Sequence, residues 1–143
     1  MRFGYTIIYV PDVDASLAFF ETAFGLSRRF LHESGDYGEL ATGDTVLAFA
    51  SLELGESNFP DGYVPMHTMP TPAGVELAFI ADSVPAAHRT ALAAGATEVR
   101  PPETKPWGQV VSYVRCPDGV LVELCTAVAA PMPEDAPRQS RSS

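Results

Sequence analysis

Phe3, Tyr5, Ile7 and Tyr9 alternate with smaller or aliphatic residues, which predicts a strand over residues 3 to 10 with those four side chains on one face. Leu17, Phe20 and Phe24 then recur at helical spacing, with Asp12 or Asp14 placed to cap the start and Gly25 to stop the helix. Strands follow over 27 to 34, 37 to 42 and 45 to 51, separated by turn residues at Gly35-Asp36 and Thr42-Gly43-Asp44. From Leu52 to Gly74 the periodicity disappears, and Gly55, Pro60, Gly62, Pro65, Pro70 and Pro72 make the stretch a long irregular connection. The pattern restarts with a strand over 75 to 81 and a helix over about 84 to 94. Ser83 caps that helix, Pro85 sits near its first position and Gly95 ends it. Strands over about 97 to 100, 109 to 115 and 120 to 126 follow, the last two joined by the turn residues Cys116-Pro117-Asp118-Gly119.

The second half echoes the first. Tyr5 through Val13 aligns with Glu76 through Val84, a shift of 71 residues, and Gly43 through Phe49 resembles Asp118 through Leu124. The predicted order is βαβββ twice, an α+β fold. Residues 1–54 form a first module, 55–73 a linker, 74–128 a second module and 129–143 a flexible tail rich in Pro, Ser and Arg. One copy alone leaves a sheet face and edge uncovered, so the copies are expected to pack together, within a chain or between chains.

Composition narrows the function. At 143 residues and 46% hydrophobic, the chain can build a core, and no apolar run reaches the roughly 18 to 20 residues of a membrane span. Met1 to Tyr5 runs straight into strand pattern without the apolar region of a signal peptide, so a cytoplasmic location is expected. Cys116 and Cys125 are too few for a disulfide scaffold and read as buried free thiols. The net charge is −9, and Lys105 is the only lysine, which argues against nucleic-acid binding. Such a charge suits solubility first, and a cationic ligand through long-range attraction second.

Strand alternation puts Glu76 with Ala78 and Ile80, and Glu123 with Leu121 and Cys125, on otherwise apolar faces. A carboxylate buried there needs a cation, a metal, a hydrogen-bond network or a raised pKa, unless it faces solvent. His32, His67 and His88 read as structural or surface residues, with His88 on the polar side of its helix. Trp107 reads as a stacking surface at a cleft mouth or as rim packing, with Phe49, Tyr9, Phe59, Tyr63 and Tyr113 as further aromatic wall. Arg28 and Arg29 read as partners of buried acids or of an anionic substrate. No glycine-rich phosphate loop, Ser-His-Asp arrangement or CxxC pair is present in the sequence.

The run from Tyr5 to Phe20, Tyr-Thr-Ile-Ile-Tyr-Val-Pro-Asp-Val-Asp-Ala-Ser-Leu-Ala-Phe-Phe, and the late Cys-Pro-Asp-Gly-Val-Leu-Val-Glu-Leu resemble the vicinal oxygen chelate superfamily. That group includes glyoxalase I, extradiol dioxygenases and bleomycin-resistance proteins. The resemblance spans residues 3 to 127 and implies two βαβββ modules whose sheets curl around a cleft, commonly in a homodimer. It also implies metal-ligand positions at Tyr5, Ala48, Glu76 and Glu123. Tyr5 and Glu76 stand where the family usually has His, Ala48 stands where glyoxalase I has Glu, and Glu123 matches directly. Two carboxylates and a phenol form a poor set for zinc or nickel; with waters they could hold a divalent ion such as Mg²⁺ or Mn²⁺ only weakly.

The expected function is therefore binding of a small organic molecule in an acidic, aromatic-lined cleft, with Tyr5, Phe49, Trp107 and Tyr113 as ligand contacts and catalysis unproven. The alternative is a divalent-metal-dependent lyase, isomerase or transferase with Glu76 and Glu123 as catalytic and metal-binding residues. A third reading makes Glu76 a general base without metal. The expected partners are a small-molecule ligand and a second copy of the chain.

Overall fold

Each half of the chain lays four strands against one long helix, and the helices meet between the halves. The computed structural model describes residues 1–128; the expected flexible tail lies outside them. In the first half β1 (Tyr5–Val10), α1 (Val13–Phe24), β2 (Arg28–Leu31), β3 (Tyr37–Leu40) and β4 (Val46–Ser51) form a sheet of order β1-β4-β3-β2. In the second half β5 (Glu76–Ile80), α3 (Val84–Ala94), β6 (Thr97–Thr104), β7 (Val110–Arg115) and β8 (Leu121–Cys125) form a sheet of order β5-β8-β7-β6. The outcome is two four-stranded mixed sheets, α+β, that do not close into a barrel.

The repeat holds residue by residue. β1 runs parallel to β4 with Tyr5 opposite Val46 and Ile7 opposite Ala48. β5 runs parallel to β8 with Glu76 opposite Leu121 and Ala78 opposite Glu123. Tyr5 and Glu76 are thus equivalent, as are Ala48 and Glu123. Both long helices follow their sequence signals: Asp12 accepts the Ala15 N–H at 3.0 Å, and Gly25 closes α1 in the left-handed region at φ 69°. Ser83 caps α3, with Pro in its first turn.

The helix-facing sides of both sheets share one core. Leu17 and Phe20 of α1 pack with Leu40, Phe49, Val114, Val122 and Leu124. The rings of Phe24 and Phe79 stand 5.1 Å apart and tie α1 to β5 across the module boundary. Cys116 and Cys125 are free and buried as expected, and burial pushes the Cys116 thiol well above its ordinary pKa. Among the described residues no helix is long and apolar enough to cross a membrane.

Three segments differ from expectation. The first is β2, which ends at Leu31 and not at 34 because the chain turns with the Gly35 N–H donating to the His32 carbonyl at 2.9 Å. Within the stretch expected to be irregular, α2 forms over Leu52–Asn58 because the Ser51 hydroxyl accepts the Leu54 N–H at 3.1 Å, and a 3-10 turn forms at Met66–Thr68. β6 continues to Thr104, beyond the expected end at 100. Its ladder to β7 shifts register between Glu98 and Arg100 and again between Arg100 and Glu103, which accommodates Pro101 and Pro102 on an edge strand.

Candidate functional site

The sheet faces turned away from the helices carry the polar chemistry. On sheet two, Glu123 lies mid-strand on β8, between Ala78 and Tyr113 in the register, and is 1% exposed. The Tyr113 hydroxyl donates to its Oε1 at 2.9 Å. Beside this pair is a cavity of about 220 Å³ lined by Glu76, Arg100, Pro101, Glu103, Lys105, Val111 and Tyr113. Glu103 Oε2 lies 3.7 Å from Arg100 Nη2 and 3.9 Å from Lys105 Nζ. The wall therefore mixes two acids and two bases, where sequence reasoning expected an acidic cleft. A larger cavity, about 310 Å³, lies between the start of α1 and the β7–β8 turn. It is mostly apolar and separate from Glu76 and Glu123; at its edge the Ser16 hydroxyl donates to Asp118 Oδ2 at 2.8 Å.

Sheet one buries its own carboxylate, which sequence reasoning missed. Glu39 on β3 is 6% exposed and lies opposite Ala48. Tyr37 donates its hydroxyl to Oε2 at 2.7 Å, and Arg29 Nη1 reaches Oε1 at 3.2 Å. Burial first, and the bond to Glu39 second, hold the Tyr37 phenol well above its ordinary pKa. The signal for Glu39 was present: if Leu40 faces the core, alternation turns Glu39 and Tyr37 to the open face.

The other expected site residues scatter. Tyr5 lies on the open face of β1 and is 57% exposed. Phe49 is fully buried on the opposite side of β4, with its ring 5.0 Å from Phe20, so it is a core residue and not cleft wall. Trp107, half exposed in the β6–β7 turn, donates its indole N–H to Gln109 at 3.0 Å. Tyr9, Phe59 and Tyr63 do cluster, with centroids 5.2 to 5.9 Å apart. His88, expected on a polar helix side, is buried between Ser112 Oγ at 2.9 Å and Glu98 Oε1 at 2.8 Å, because the buried Ser112 hydroxyl on the helix side of β7 takes it as a partner. Arg28 pairs with Asp14 and Glu21, and Arg29 with Glu39.

The donor set does not fit the metal that the resemblance implied. Ala48 offers no donor atom, its sheet-two counterpart Glu123 is engaged by Tyr113, and Tyr5 brings a phenol where zinc or nickel favours imidazole or thiolate. Among the described residues no three His, Cys, Asp or Glu side chains are grouped to hold an ion.

A doubled βαβββ chain with chemistry on the open sheet faces defines a class, and comparison identifies it. The profile of the Glyoxalase/Bleomycin resistance protein/Dioxygenase superfamily matches residues 2–124, and the chain belongs to that superfamily. A glyoxalase-related enzyme from Fulvimarina pelagi superposes with a TM-score of 0.76 at 21% identity, covering 96% of each chain. A glyoxalase/bleomycin resistance protein/dioxygenase family enzyme from Burkholderia phytofirmans PsJN gives 0.75 at 21% identity, covering 88% of this chain and 98% of that one. A protein of unknown function from Agrobacterium tumefaciens str. C58 gives 0.71 at 25% identity, covering 89% and 94%. No curated protein matches the chain.

Proposed function

We propose that this protein binds a small organic molecule bearing charged groups, in a cleft built from the open sheet faces of two copies. The sheet-two cavity carries the reading: Glu76, Arg100, Glu103, Lys105 and Tyr113 converge beside the buried Glu123. At about 220 Å³ it falls short of the roughly 300 to 1,000 Å³ of a complete small-molecule site, so it needs a second wall. None of its lining residues comes from sheet one.

A second copy can supply that wall. Phe3, Tyr5 and Ile7 at the β1 edge and Ile80 on β5 are exposed apolar or aromatic side chains, the kind of surface an interface covers. Facing sheet one of one copy against sheet two of the other twice over gives a closed, symmetric homodimer. The aromatic wall then comes from Tyr5, Tyr37 and the Tyr9–Phe59–Tyr63 cluster, and the ionic wall from the cavity. Binding without a resident metal is the mode that the donor set supports. The free, buried Cys116 and Cys125 suit a reducing compartment, which supports a cytoplasmic location.

Trp107 sits in the turn two residues beyond the cavity-lining Lys105 and serves as the fluorescent probe. Its fluorescence should show saturable quenching by small aromatic amines, weakened at least tenfold by Glu76→Gln, while sedimentation gives a dimer. A monomer at micromolar concentration, or no saturable response across a chemically varied amine panel, would overturn the reading.

A further inference from the structure

Strand β2 meets β3 with a bulge. Arg28 lies opposite Leu40 and Phe30 opposite Glu39, which leaves Arg29 as the extra residue. A bulge sets two residues against one and re-aims a side chain. Arg28 accordingly turns toward α1, where it meets Asp14 at 2.7 Å and Glu21 at 3.2 Å. Arg29 turns the other way and gives Nη1 to the buried Glu39.

That arrangement holds a guanidinium in place without using it up. Glu39 is fixed on its second oxygen by Tyr37. The Arg29 side chain stays 60% exposed, and among the described residues its Nε and Nη2 make no hydrogen bond. These two N–H groups form the side-on edge of the guanidinium, the edge that receives a carboxylate bidentately. Next to it the Phe30 ring is partly exposed and stands 6.0 Å from the Tyr37 ring at an interplanar angle of 48°, a tilted aromatic pair beside the cation.

We propose that Arg29, seated on Glu39 by the β2 bulge, is an anion-docking residue, and that the open face of sheet one takes small aromatic carboxylates. The carboxylate sits on the Nε–Nη2 edge and the ring lies against Phe30 and Tyr37. This rests on the reading of the open faces as the ligand surface and names the ligand class for the sheet-one half. Arg29 is unlike Arg28, whose contacts with two acids on α1 make it a structural tie.

The test is an amide-resolved NMR titration of the full chain with benzoate, phenyl phosphate, benzamide and benzylamine. Benzoate should shift amides over 28–31 and 37–40, benzamide should not, and phenyl phosphate should bind more weakly than benzoate. Arg29→Gln should weaken benzoate at least tenfold, and Arg29→Lys, which keeps the charge over Glu39 but loses the fork, should do nearly the same at an unchanged melting temperature. Arg89→Gln, the same charge change on an exposed face of α3, should leave binding intact. Equal benzoate affinity in Arg29→Gln, benzamide shifts as large as those of benzoate, phosphate binding tighter than carboxylate, or no response in β2 and β3 would overturn the proposal. Trp107 quenching by amines that persists beside a silent β2–β3 response would leave the sheet-two reading standing and remove this one.

Discussion

Ala48 on β4 and Glu123 on β8 occupy the same place in the two sheets, and both are essentially inaccessible to solvent. One copy of the repeat buries a methyl group where the other buries a carboxylate. Across the neighbouring antiparallel strand the exchange reverses: Ala48 faces Glu39, and Glu123 faces Tyr113. Among the described residues each sheet therefore carries a part-buried Tyr–Glu hydrogen bond, along β3 in the first and across β7–β8 in the second. Burying a carboxylate is expensive without such donors, which explains why each acid is met by a phenol.

Tyr113→Phe tests what the phenol contributes. The ring stays, and the donor to the Glu123 carboxyl is lost. A net hydrogen bond is worth about 0.5 to 1.5 kcal/mol and a buried acceptor left unmet costs about 1 to 3 kcal/mol, so chemical denaturation should show a loss of about 1 kcal/mol or more. A change under about 0.5 kcal/mol would mean that Glu123 is held by its other contacts.

Asp118 should make stability depend on pH. Burial raises its carboxyl above the ordinary 3.8, against the opposing hydrogen bonds from Ser16 and Val120. A carboxyl with a raised folded pKa holds its proton better folded than unfolded. Its favourable contribution is full below about pH 3.8 and is lost as pH rises through the folded value. Asp118→Asn keeps an acceptor for Val120 and a group that can pair with Ser16, so the variant should melt higher than the parent near pH 7. The gain should vanish below pH 4 in a series of melts. A lower melting temperature at pH 7 would show that the ionised form earns more from its hydrogen bonds than it loses by burial.

Arg115 straps the connection between modules to sheet two. It donates to the carbonyls of Met66 at 3.0 Å, Met69 at 2.8 Å and Gly119 at 3.2 Å. Gly119, at φ 94°, lets the strap come close: a Cβ there would stand 2.6 Å from the Met66 carbonyl. Arg115→Met keeps the length of the side chain and removes the donors. It should cost about 2 kcal/mol or more and speed hydrogen exchange at Thr68 and Met69 selectively. Unchanged exchange there would show that the 3-10 turn holds itself.

Much of the fold was legible because its signals are local. Asp12, Gly25, Ser83 and Gly95 mark helix ends through their own backbone and side-chain geometry, and the βαβββ order follows from them. α2 was missed because Gly55 argues against a helix; it is tolerated there because Tyr63 packs where a Cβ would go, 2.6 Å from its Cζ. Phe49 was put on the wrong side because β4 is buried throughout, so its pattern carries no alternation of polar and apolar. His88 misled for a related reason: its polarity faces inward, toward a serine on a strand far along the chain.

The sequence by itself determined the repeat, its superfamily and the equivalence of Tyr5 with Glu76 and Ala48 with Glu123, because residue periods and turn chemistry act over a few neighbours. Only the tertiary structure decided which acids are buried and by what they are held. Glu39 takes Tyr37 from its own strand and Arg29 through a bulge, while Glu123 takes Tyr113 from the next strand. Those partnerships depend on strand register and on where a bulge falls, and both are set by the packed sheet as a whole.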